Sequence, residues 1–171
     1  MVRTTGLPGT LMTISGLIPF VFFAWVGVAP YQLADILSAD VIQLWKTGLL
    51  GELFYGAVIL SFMGGARWGT SFGENVDTPH ALTLCLAVLP TLWACAAGIL
   101  GGLGIIGGGL TSGGVSIFLS AAYYMLAGGF LVLLAFDLKA GYPSDYKRLR
   151  VIASVSAALC LAVCAWYVGP R

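Results

Sequence analysis

Five apolar stretches constrain this chain more than any other feature: Leu7–Val28, Thr47–Trp68, Ala81–Leu103, Val115–Phe136 and Leu149–Val168. Crossing a hydrocarbon core of about 30 Å takes ~20 helical residues, and each stretch is long enough. Lipid offers the backbone no hydrogen-bonding partner, so helix is the structure expected for all five. The expected fold class is therefore an all-α integral membrane protein, a single domain made of a bundle of five transmembrane helices.

Composition agrees. Charged residues are 9% and apolar residues 59% of the 171, against roughly 25% and 45–50% in soluble proteins. A chain this short, folded in water, has no core large enough to hide that much apolar surface. Eight Lys and Arg stand against seven Asp and Glu, which leaves no basic footprint for nucleic acid. A soluble enzyme is excluded on the same grounds. The four cysteines, Cys85, Cys95, Cys160 and Cys164, lie inside apolar runs, where they read as small hydrophobes and not as a disulfide framework. His80 is the single histidine, so one chain has no bis-His haem site. No cofactor and no metal site is expected.

The first run is longer than the 7–15 residues of a signal-peptide core, so it is expected to stay as a span. An odd number of spans puts Arg3, Arg67, Lys139, Lys147, Arg148 and Arg150 on one side and only Lys46 and Arg171 on the other. Six against two places the N-terminal side in the cytoplasm and residue 171 outside. No Arg- and Ser-rich transit segment is evident, which favours a bacterial inner membrane; in a mitochondrion the matrix would take the place of the cytoplasm.

Between spans one and two, Leu33, Ile36, Leu37, Val41, Leu44 and Trp45 share one helical face. Tyr31–Lys46 is thus expected to be a short amphipathic helix at the outer interface. Thr78-Pro79 reads as the capped start of the third helix. Pro90 falls inside that helix, and nine glycines between Gly98 and Gly114 suggest that it frays into a flexible loop. Gly102-x-Gly104-x-x-Gly107 matches a dinucleotide pattern but lacks the strand and acid that the pattern needs. It reads as loop.

The second span is the most informative. Ala57, Ser61, Gly65 and Gly69 recur every four residues, a spacing of small side chains that lets another helix come close. This helix is expected to be central. It also carries Glu52 and Arg67, the two ionisable groups nearest the membrane interior. Glu52 lies about 10 Å along the helix from Trp45, a depth at which a carboxylate costs several kcal/mol unless paired, hydrated or protonated. Two roles stand open for it: a structural acid bonded to Tyr31, Tyr55 or Lys46, or a functional group. Arg67 is about 22 Å away and is expected to meet Glu74, Asp77, a lipid phosphate or a loop carbonyl. Cys160 and Cys164 share a face with Ser156 and read as close helix packing. Tyr123 and Tyr124 require hydrogen-bond partners if buried. Lys147, Arg148 and Arg150 form a basic amphipathic lead-in to the last span, suited to anionic lipid or to a cytoplasmic partner.

The stretch Tyr55-Gly-Ala-Val-Ile-Leu-Ser-Phe-Met-Gly-Gly-Ala-Arg-Trp-Gly69 resembles the signature of the transmembrane protein 69-like family of bacterial and mitochondrial membrane proteins. Ile18-Pro19-Phe20, Leu89-Pro90 and Tyr142-Pro143 through Tyr146-Lys-Arg-Leu-Arg150 resemble it too. The resemblance implies a small multi-span membrane protein and carries no reaction or ligand with it. On the residues themselves, the leading expectation is a non-enzymatic accessory subunit or assembly factor of a larger membrane complex, with a membrane-protein partner or further copies of itself among the lipids. The alternative is a small oligomeric transporter or a proton or cation channel that uses Glu52.

Overall fold

The computed structural model of the chain describes residues 6–70, 81–106, 117–140 and 142–170. Six helices occupy them: α1 (Gly6–Val28), α2 (Pro30–Leu37), α3 (Val41–Thr70), α4 (Ala81–Gly104), α5 (Ile117–Lys139) and α6 (Ser144–Val168). All but α2 are long and apolar enough to cross a membrane, and α2 lies between the first two of those five. This is a multi-pass transmembrane helical protein.

The expected amphipathic helix over Tyr31–Lys46 is divided in two. Helix α2 ends at Ser38, whose backbone turns left-handed with φ 51°. The chain then restarts at Asp40, whose Oδ1 accepts from the backbone N–H groups of Ile42 at 2.7 Å and Gln43 at 3.1 Å. That carboxylate fills the role of an N-cap, satisfying donors that have no partner within the helix. Residues 41–46 therefore belong to the second span, which is longer than its apolar stretch suggested. Helix α2 stays tied to α1, where Trp25 Nε1 donates to Gln32 at 3.1 Å.

Helix α4, the third span, persists through Gly98, Gly101 and Gly102 to Gly104, further than their helix propensity suggests. At Gly101 an added Cβ would sit 2.6 Å from Leu53 of α3, so the bare backbone there is what lets the two helices meet. The Thr78-Pro79 cap, Gly107 and the remainder of the glycine-rich loop lie outside the described residues.

Helix α3 touches every other helix, the central position expected of it. Its contacts with α1 are the closest: a Cβ on Gly48 would collide with the backbone of Val26 and Gly27, and one on Gly51 with the ring of Phe23. Phe20 continues that seam edge-on to Tyr55 at 4.9 Å between ring centres. Helix α5 closes the other side, with Leu126 and Phe130 fully buried beside Leu60 of α3 and Leu161 of α6.

Candidate functional site

Helix α3 presents a carboxyl to the middle of this packing. Glu52 has no accessible surface, and neither side-chain oxygen has a hydrogen-bond partner among the described residues. Local sequence sets its position. One turn further on, Gly56 lets Leu161 of α6 and Leu126 of α5 close in, at 3.1 and 3.4 Å from where a Cβ would stand. One turn earlier, the Leu49 carbonyl accepts from Tyr123 of α5 at 2.7 Å. Glu52 thus faces the junction of α3, α5 and α6, and Tyr55, Tyr123, Cys160 and Cys164 all lie close enough to interact with it electrostatically.

None of the expected partners of Glu52 bonds to it. Tyr55 instead donates to the carbonyl of Gly16 in α1 at 2.8 Å, and Tyr31 is exposed on α2. The structural role through Tyr31, Tyr55 or Lys46 is therefore corrected, because Tyr55 is turned across the α1 seam. A carboxyl in such a place can hold a proton or meet a cation. A lone carboxylate is the least stable occupant of an apolar interior.

The four-residue row of small side chains is used differently from expectation. Ser61 donates to Thr91 of α4 at 3.1 Å, and Ala57 packs against the core. The tight approach of α4 then passes over Gly64, where a Cβ would lie 2.6 Å from the Ala87 carbonyl and 3.1 Å from Pro90. Gly65 and Gly69 have no described atom within 4 Å of that position. The close contacts drift from the exact four-residue row because an α-helix completes a turn every 3.6 residues.

A second polar cluster ties the opposite end. Asp137, in the last turn of α5, and Arg150, two turns into α6, are paired: Arg150 Nε donates to Asp137 Oδ2 at 2.7 Å, and Nη2 reaches the same oxygen. Lys147 Nζ caps α5 by donating to the Leu138 carbonyl at 2.8 Å, while Arg148 is exposed. The sequence offers Lys147, Arg148 and Arg150 to anionic lipid or a cytoplasmic partner and gives Asp137 no role, so this pair is a finding of the structure. The signal for the pair was an acid ending one span and a base opening the next, separated by a short connection. Arg67 lies near the end of α3; its side chain, and Glu74 and Asp77, lie outside the described residues. Tyr124 is half-exposed, Cys160 half-buried and Cys164 buried, and all four cysteines are free. Among the described residues no three His, Cys, Asp or Glu side chains converge as metal ligands.

The family described as "Protein of unknown function (DUF3429)" matches residues 7–166. Two curated relatives are both called "Transmembrane protein 69". The one from Xenopus tropicalis is 28% identical over 146 residues, covering 84% of this chain and 52% of its own length. The one from Mus musculus is 28% identical over 159 residues, 91% of this chain and 54% of its own. The chain thus spans about half the length of the curated relatives it matches. No solved structure matches it.

Proposed function

The chain belongs to the DUF3429 family, and from that premise we propose that it is a non-enzymatic accessory subunit or assembly factor of a larger membrane complex. The observation that carries this reading is the open notch on the central helix. Gly65 and Gly69 leave backbone uncovered by any described atom, although α3 packs closely elsewhere along its length. In lipid, where apolar side chains gain nothing by leaving the acyl chains, helices associate through such small-residue surfaces. The notch suits a helix of a neighbouring membrane protein. For a bacterial cell we place the protein in the inner membrane, with the Asp137–Arg150 end in the cytoplasm.

Purification in mild detergent followed by mass spectrometry tests this reading. A protein partner in stoichiometric amount is expected, and Gly65→Leu should release it by filling the notch. Recovery of copies of this chain alone, unaffected by that substitution, would overturn the proposal.

A second reading is favoured by Glu52 alone. A carboxyl with no hydrogen-bond partner among the described residues, sealed between three helices, suits a proton relay or a cation site, and an oligomer could supply a polar lumen. Flux measurements in liposomes separate the two readings. We expect no specific proton or cation flux from the unmodified protein. A pH-dependent flux that Glu52→Gln abolishes would promote the channel reading, since an amide cannot ionise.

A further inference from the structure

A cavity of about 380 Å³ lies between α1, α3 and α6, with Phe130 of α5 as its floor. It extends along α6 from Tyr146 and Arg150 to Ala157. Eleven residues of helix span about 16 Å, close to half of a ~30 Å hydrocarbon core. Met12 and Phe62, which also line it, are largely exposed, so the groove opens sideways between α1 and α3. Its wall is apolar, and the polar groups that α1 contributes to it are already satisfied. Thr13 donates to the Gly9 carbonyl at 2.9 Å, and the Gly16 carbonyl accepts from Tyr55.

The ends of this groove differ. The deep end reaches Phe20 and Ala157, whereas the mouth holds Arg150. Arg150 turns Nε and Nη2 toward Asp137; a guanidinium has five N–H donors, and those on Nη1 have no partner among the described residues. Residues 137–150 carry four basic groups (Lys139, Lys147, Arg148, Arg150) against two acidic ones (Asp137, Asp145). Apolar along the depth of one leaflet, with Arg150 at its mouth and a segment of net positive charge leading into that end, the site is complementary to a lipid bearing an anionic headgroup.

We propose that this groove binds one acyl chain of an anionic phospholipid of the basic-end leaflet, with its phosphate at Arg150. Gly16 offers a clean way to block it. Gly16 lines the groove, and a Cβ there meets nothing within 4 Å, so Gly16→Leu starts its side chain in open space and extends it into the groove. Gly98→Leu on α4 is the matched control, since Gly98 also has open space and lies outside the groove.

The test is native mass spectrometry of the full chain in detergent, titrated with phosphatidylglycerol or with phosphatidylcholine of the same acyl chains. One phosphatidylglycerol should be retained per chain, in preference to phosphatidylcholine by about fivefold, the selectivity that one basic residue at a membrane surface supplies. Gly16→Leu should abolish that retention and Gly98→Leu should leave it intact. The double variant Asp137→Asn/Arg150→Gln removes the guanidinium at the mouth together with its carboxylate partner, so no buried acid is stranded and the net charge of residues 137–150 is unchanged. It should lose the headgroup preference while still retaining lipid, which assigns the preference to Arg150 itself. Equal retention of the two lipids by the unmodified chain would overturn the proposal. So would equal loss in both glycine variants, or a lipid-free dimer seated through this face.

Discussion

At the scale of single residues, Glu52 sets the question. Its depth could be read from its spacing to Trp45, but its neighbours could not. Candidates nearby in the chain, Tyr55 and Lys46, are displaced by residues more than 70 positions away, because helix rotation sends Tyr55 toward α1 and Glu52 toward Tyr123 and Cys164. A buried polar group without a partner costs about 1–3 kcal/mol. Replacing it by an apolar side chain of similar size removes that cost. Glu52→Leu is therefore expected to raise the thermal unfolding midpoint of the isolated protein in detergent. A fall in the midpoint would mean that the carboxyl has a stabilising partner, such as a buried water or bound cation.

At the scale of elements, the spans were readable because lipid permits little besides helix, whereas their contacts were not. Four-residue recurrence pointed to Gly65, yet the helices close over Gly48, Gly51, Gly56 and Gly64. A periodic row shows that some face is smooth without showing which neighbour fills it. The ends of the elements were also partly hidden: Asp40 starts α3 inside what apolar periodicity presented as one amphipathic helix. The distinction between the two sets of glycines is measurable. Gly48→Ala should push α1 away from α3 and destabilise the isolated protein by roughly 1–3 kcal/mol, as overpacking does elsewhere. Gly65→Leu should leave the isolated chain within about 0.5 kcal/mol of its parent, as expected at a site without packed neighbours. Thermal aggregation of the two variants in one detergent compares them directly, and equal losses would mean that Gly65 is packed after all.

At the scale of the whole molecule, span count and charge together dictate orientation. Five crossing helices alternate in direction, so α1 and α6 start, and α3 and α5 finish, at the same end. That end gathers Arg67, Lys139, Lys147, Arg148 and Arg150 of the sequence, with Arg3 just ahead of α1, while Lys46 and Arg171 belong to the other. Positive residues flanking spans are held on the cytoplasmic side during insertion, and acidic ones count for little. Asp137 and Asp145 should therefore not offset the bias, even though Asp137 pairs with Arg150 in the folded bundle, because that pair forms only after both helices are in place. Reporter fusions in a bacterial host are expected to place residue 171 outside and the 140–143 connection inside. Replacing Lys147, Arg148 and Arg150 by Gln would reduce the count from six against two to three against two, and should yield a mixture of orientations. A reporter at residue 171 that is cytoplasmic in the unmodified chain would refute the assigned orientation, and it would refute the five-span count too if the 140–143 connection proved cytoplasmic as well.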